Sequence, residues 1–284
     1  SPWFGVTPSP GLTPHRLEVI SQRAAIPAIV PPYERRYTEL TGSAIRAHLE
    51  TIVGFSKESR ATKEVGNGQL WGRLTGFASG AKTVEWAADQ FRRTGITDVE
   101  LQPFPQDDGA SIWLPLSWEV RLVGNPAFGA GTTDVVLESA MPLSAGSLPA
   151  AGLTASLVHV GTASAAELVH AEVRGKVAVQ KVTPQGHTVF VRSPVGPRSG
   201  DLLDRGAVAV LRLIDLPGNL GVRDIGCGDG TCFNLGGREA HFLESVMNAA
   251  AGKGVLDGLL LRLELASERF SGLTGANAVA ILPG

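Results

Sequence analysis

Ala278-Val279-Ala280-Ile281-Leu282 is apolar at every position. A run that short, apolar on both faces, predicts an interior strand of a covered sheet with a neighbour on each side. The same character recurs in Val177-Ala178-Val179 and in Ala207-Val208-Ala209-Val210-Leu211, each preceded by a glycine, Gly175 and Gly206, that permits a tight turn or a helix end. Whatever else this chain does, it has to cover both sides of a sheet.

The covers are legible as helices. Thr41 opens a segment in which Ser43 offers an N-cap and Ile45, Leu49, Ile52 and Val53 recur at helical spacing. "ASGAKTVEWAADQFRRTGI" places Val84, Ala87, Ala88 and Phe91 on one stripe and Gly95 as the stop. Further helices are expected over 163–170, 199–204 and 238–251. After Gly95 the period shortens toward two, giving strands in "TDVELQPFPQ" and "SIWLPLSWEVRLV", then short ones at 135–137, 155–160 and 176–181. The first 37 residues carry Pro at 2, 8, 10, 14, 27, 31 and 32 and read as an extended arm, with one short helix over 14–25. No internal repeat of 20–50 residues is visible.

At 284 residues, two domains or one domain with an insertion is the expectation. Apolar residues at 43% against 18% charged place the chain among globular proteins rather than disordered ones. A net charge of −2 without a basic cluster argues against a nucleic-acid partner, which needs concentrated Lys and Arg. No apolar stretch is long enough to span a bilayer; the longest, 208–216, is interrupted by Arg212 and Asp215.

The segments "AEVRGKVAVQKV", "SGDLLDRGAVAVLRLID" and "FNLGGREAHFLESVMNAA" resemble the protease-associated domain. The matches are the Val173-Arg174-Gly175-Lys176 turn before a buried strand, Gly206-Ala207 before the next, and Gly236-Gly237 before a helix. On both sides of that domain the chain resembles zinc exopeptidases of the bacterial aminopeptidase and glutamate carboxypeptidase type. "AIRAHLETIVGFSKESR" is similar to their opening helix, "LTGFASGAKTVEWAADQFRRTGITDVELQPF" to the next helix and strand, and "GANAVAILPG" to the strand that resumes after the insertion. The resemblance implies an α/β fold: an incomplete peptidase domain with an inserted β-rich protease-associated domain. The expected divisions are an arm at 1–37, the first part of the peptidase-like domain at 38–130, the protease-associated domain at 131–265 and a return strand at 266–284.

The same resemblance implies amide hydrolysis by a metal-activated water in the intact protein, with two zinc ions and a peptide substrate. The family's His-x-Asp pair, bridging Asp and Glu-Glu pair have no counterpart here. No catalytic residue, cofactor site or metal ligand is therefore assigned to this chain, which is expected to be inactive alone. Its partner is then the missing carboxy-terminal metal-binding half, as a continuation or a second chain, and its own task is to shape or cover the substrate cleft. The rival expectation is a non-catalytic protein- or peptide-binding module built on the protease-associated domain.

The six histidines, His15, His48, His159, His170, His187 and His241, form no recognisable ligand spacing. The Gly-Lys pairs at 175–176 and 252–253 lack the rest of a phosphate loop, and there is no Gly-x-Ser-x-Gly elbow. Trp113, Trp118, Arg192 and Arg198 are candidates for lining a cleft, where rings give contact area and guanidinium groups can hold a carboxylate. Their plainer roles are the joint between two domains for the rings and a solvated loop for the arginines.

The two cysteines, Cys227 and Cys232, flank a glycine-containing loop in "IGCGDGTCFN". A local disulfide is expected, with free thiols in a reducing compartment or half a zinc site as the alternatives. A disulfide favours export, to the periplasm or outside the cell, and Ser1 suits the residue following a cleaved leader or a trimmed tag. Closing so short a loop should contribute about 2–3 kcal/mol. Thiol titration of the denatured, unreduced chain is expected to find no free sulfhydryl, and two titrating thiols would remove the basis for export.

Overall fold

The computed structural model describes residues 31–38, 41–129, 131–143, 146, 148–182, 199–216, 218–219, 221 and 230–283. The Pro-rich arm through residue 30, its expected short helix included, lies outside them. The fold is mixed α/β. Two helices come first, α1 (Gly42–Ala61) and α2 (Ala78–Arg93), followed by strands β1 (Asp98–Pro105) and β2 (Ile112–Leu122). Short strands β3 (Val135–Val136) and β4 (Met141–Leu143) precede β5 (Leu153–His159) and β6 (Val177–Val182). Helix α3 (Ser199–Asp204), β7 (Ala209–Ile214), β8 (Cys232–Leu235), α4 (Gly237–Gly252), β9 (Leu260–Phe270) and β10 (Thr274–Ile281) complete the order.

The chain divides into two compact units, one of 118–266 and the other of the described residues through Ser117 together with those from Ser267 onward. In the first unit lies most of an eight-stranded sheet of order β3-β2-β9-β5-β6-β7-β8-β4. Strands β5, β6, β7 and β8 run parallel, while β9 and β4 pair antiparallel to β5 and β8. Every residue of β7 is buried, as is every residue of β8, which is what continuous apolar runs require of central parallel strands. On one face Ala178, Val210 and Cys232 pack with Leu202 of α3 and with Val160, Ala163 and Leu168 of the β5–β6 crossover. Helix α4 covers the other face with Leu243, Val246, Met247 and Ala250.

In the second unit α2 packs on α1 and on both strands of a two-stranded sheet, in which β10 pairs antiparallel with β1 from Asp98↔Ile281 to Pro105↔Thr274. Here the expected covered strand is not found. Ala278, Val279 and Ala280 are half-buried, and Ile281 and Leu282 are 56% and 76% exposed. The reason is topological: among the described residues β10 has one neighbour, β1, and β1 itself exposes Leu101 and Phe104.

Local readings fare unevenly. Helices α2, α3 and α4 fall where the pattern put them, and Gly95 adopts φ 92° just past α2. The N-cap of α1 is Thr41, whose Oγ1 accepts from the Ala44 amide, and not Ser43. Ile45, Leu49 and Val53 are exposed. The helix expected over 163–170 is only a 3-10 turn, Glu167–Val169. The segment entering it holds Gly161 and Ala163 in left-handed conformations, φ 58° and 62°, which an α-helix cannot include.

Gly66 illustrates how tightly the second unit is tied. Its φ is 56°, and a Cβ there would lie 2.1 Å from the Leu116 carbonyl oxygen, beside the bond from the Asn67 amide to that same oxygen. Gly66→Ala is expected to destabilise by about 1–3 kcal/mol, through overpacking against backbone that has no room to yield. Chemical denaturation of the two proteins measures this; an unchanged midpoint would contradict the close approach.

Candidate functional site

Carboxylates fasten both units by one repeated device, a glutamate accepting both the amide and the hydroxyl of the same serine. Glu64 accepts from the Ser79 amide (2.8 Å) and hydroxyl (2.5 Å) at the start of α2, and from the Ser59 hydroxyl (2.7 Å) at the end of α1. Burial alone would raise its pKa; the bonds from Ser79 and Ser59 and the charge of Lys82 outweigh that and hold it below the usual value. Glu239, in the first turn of α4, accepts from the Ser139 amide (2.8 Å) and hydroxyl (2.6 Å). Glu167 accepts from the amides and hydroxyls of Ser164 and Thr162, which hold its carboxyl down at about 2.

The Glu167 loop caps the β5–β6 crossover beside the most polar part of the core. Gln180, Arg212 and Asn234 are buried within β6, β7 and β8, paired in register as Gln180↔Arg212 and Arg212↔Asn234. They therefore lie in one row across the sheet, on the face of Ala178, Val210 and Cys232, two residues further along each strand. Gln180 donates to the Thr162 carbonyl (3.1 Å), joining the row to the Glu167 loop. Burial pulls the Arg212 guanidinium down to about 10. In the sequence the row shows only as one polar residue interrupting each of three apolar strands, Gln180, Arg212 and Asn234.

The residues proposed from sequence are dispersed. Trp118 donates its indole N–H to the Ala140 carbonyl (2.7 Å). Trp113, five positions earlier on β2 and so on its opposite face, has a buried indole nitrogen without an acceptor. Arg192 and Arg198 lie outside the described residues, as does Cys227; Cys232 is buried at the start of β8. His48 stacks edge-on with Trp86, His159 accepts from the Gly161 amide, and His241 lies 4.0 Å from Glu244. His15 and His187 are outside the described residues. Among those described, no group of three or more His, Cys, Asp or Glu could hold a metal ion. A zinc centre does not fit the residues described, and no helix among them is long and apolar enough to cross a membrane.

No protein-family profile matches the chain, and no curated protein does. Among solved structures it is similar to an aminopeptidase from Aneurinibacillus sp. strain AM-1, with 18% identity over 81% of this chain and 47% of that one and a TM-score of 0.45. It is likewise similar to a zinc aminopeptidase from Bacillus subtilis, with 14% identity, 81% and 46% coverage and a TM-score of 0.46. A third is a peptidase M28 precursor from Shewanella amazonensis SB2B, with 18% identity, 81% and 53% coverage and a TM-score of 0.48. The chain spans about half the length of these proteins. Likeness at this level leaves function to be argued from the chain's own residues.

The depressed Glu167 carboxyl gives the crossover loop a definite pH response. A group whose folded pKa lies below its unfolded value stabilises fully above the unfolded value and loses that contribution as pH falls toward the folded one. The window here runs from about 4.5 down to about 2. Thermal midpoints of the wild type are expected to fall more steeply across that window than those of Glu167→Gln, which has no charge to lose. Parallel curves would rule out the carboxylate as the loop's fastener.

Proposed function

We propose that this chain is the amino-terminal and protease-associated portion of a zinc-dependent exopeptidase. The metal-binding half is supplied by continuing sequence or by a second chain. In the intact protein the reaction is amide hydrolysis of a peptide by metal-activated water, and this portion shapes or covers the cleft. The zinc ligands belong to the other half, and the protein is exported, with Cys227 and Cys232 joined.

The observation that carries the reading is the exposed β1–β10 layer. Strand β10 carries Ala276, Ala278 and Ala280 on one face and Val279 and Ile281, beside Asn277, on the other, and among the described residues the helix packed extensively on it is α2. A strand of that composition suits a sheet with further strands and a second covering layer. The order of resembling segments, helix, helix, strand, insertion and return strand, agrees with a peptidase domain whose remaining elements would provide them. A non-catalytic binding module is the second reading, favoured by the first unit, which has its own core and covers both faces of its parallel strands.

Two outcomes test this. The isolated chain is expected to retain no stoichiometric zinc after brief chelation and dialysis, whereas co-production with a metal-binding half should yield chelator-sensitive release of amino-terminal or carboxy-terminal residues from peptides. Size-exclusion chromatography with light scattering is expected to show association of the isolated chain, relieved in the double variant Leu101→Asp, Ile281→Asp. Tight one-to-one zinc, or a monomeric wild type with an unchanged elution in the variant, would turn the argument toward the binding module.

A further inference from the structure

The segment leading into α1 lies on the surface. Pro31 is half-buried, but every residue from Pro32 to Thr38 is exposed, as are Thr41, Gly42 and Ser43, and the first buried apolar side chain among the described residues is Val65. Residues 32–36 form a turn, with bonds from the Glu34 amide to the Pro31 carbonyl (2.9 Å) and from the Tyr37 amide to the Glu34 carbonyl (3.0 Å). Exposed backbone closed by local bonds is where endoproteases act, because a substrate must open into an extended strand before its peptide bond reaches the protease.

Arg35 and Arg36 sit in this turn. The sequence holds one other pair of adjacent Lys or Arg residues, Arg92-Arg93, and that pair closes α2, with Arg92 bonded to Asp89 (2.8 Å). Single basic residues in the described loops are set differently. Arg73 stands between half-buried Gly72 and Leu74, Lys176 bonds to Asp257 (2.8 Å), and Lys63 holds a left-handed backbone, φ 53°. Only at 35–36, among the described residues, do paired guanidinium groups, turn backbone and exposed neighbours on both sides coincide. Arg36 donates to the Tyr37 hydroxyl (2.7 Å) and lies 4.8 Å from its ring centroid. An exposed contact of that kind is weak and yields to a protease pocket whose carboxylate takes a guanidinium with two parallel bonds.

We infer that the Arg36–Tyr37 peptide bond is a processing site for an arginine-specific endopeptidase, and that the compact protein begins at Tyr37. Water adds across the amide: the Arg36 carbonyl carbon takes the hydroxyl and becomes the carboxylate end of the released segment, while the Tyr37 nitrogen takes the proton and becomes a new amino terminus. A guanidinium on the residue that gives up its carbonyl serves two sources, a trypsin-class enzyme that reads Arg36 alone and a paired-basic enzyme that reads Arg35 as well. The bond falls at the end of the Pro-rich arm and ahead of Thr41, so cleavage leaves the N-cap of α1 and its bond from the Ala44 amide in place. The site stands independently of the exopeptidase reading, because it uses neither the β1–β10 layer nor a metal.

The test treats the whole chain with trace trypsin and, separately, with a paired-basic endopeptidase of the subtilisin class, followed by intact mass, amino-terminal sequencing and thermal melting. The first product is expected to begin at Tyr37 and to melt with the midpoint of the uncut chain. Arg36→Gln is expected to slow its appearance at least tenfold with either enzyme. Faster release by the paired-basic enzyme at matched activity, lost in Arg35→Gln, would assign the site to that class, and faster release by trypsin, kept in Arg35→Gln, to the other. Protein isolated from the cells that make it, or from their medium, is expected to begin at Tyr37 as well. A first cut at any other Lys or Arg, a cut chain that melts several degrees lower, or native protein that retains residues before Tyr37 would each overturn the processing site.

Discussion

Complete burial of β7 is the constraint from which the first unit follows. Six consecutive buried residues require paired strands at both edges and packed layers on both faces, because their backbone N–H and C=O groups and their side chains must find partners inside. Strands β6 and β8 supply the edges in parallel register, α4 one face, and α3 with the β5–β6 crossover the other. Once that arrangement exists, a polar side chain placed on β7 is held at a fixed depth and direction. Arg212 is such a side chain, and its neighbours in register share its polarity.

The glutamate–serine pairs explain how the connections keep their shape. Each carboxylate meets the amide and hydroxyl of one serine, satisfying donors at a helix start or in a tight loop that would otherwise be left without partners. Glu64 also receives the Ser59 hydroxyl, so one side chain fixes the end of α1 against the beginning of α2. Glu239 reaches back a hundred residues to hold Ser139 near the start of α4, and Ser139 in turn accepts from the Gly236 amide. These charged bonds are stronger than neutral ones and are oriented at both oxygens, which suits them to loops that carry little apolar surface.

What the sequence revealed and what it hid divide along the range of the interactions. Helices α2 and α4 and strands β6 and β7 were legible because their stripe or run, and their bounding glycines, are local. The serine partners of Glu64 and Glu239, 15 and 100 residues away, leave no periodic trace. The helix expected over 163–170 failed for a related reason: its composition permits a helix, but Glu167 bonds backward to Thr162 and Ser164 and draws the segment into a loop. The polar row within the strands is visible only as interruptions of apolar runs, since the register that aligns Gln180, Arg212 and Asn234 is a tertiary fact.

Strand β10 was read correctly as a strand and incorrectly as a covered one, and the discrepancy is physically specific. Side-chain alternation assigns Ala276, Ala278 and Ala280 to one face of β10 and Val279 and Ile281 to the other, so no rotation of the strand can hide its apolar side chains behind a single helix. On β1 the partners are unlike: Val99 and Leu101 stand opposite Ala280 and Ala278, whereas Glu100 and Gln102 stand opposite Val279 and Asn277. One face of the ribbon is thus uniformly apolar and the other mixed, the pattern of an edge region beside a more fully buried interior. β10 is the more apolar of the pair, with only Asn277 bearing a polar group among its last six residues. Among the described residues β10 pairs with β1 alone, so the more apolar strand of the ribbon is the one whose second edge has no strand beside it.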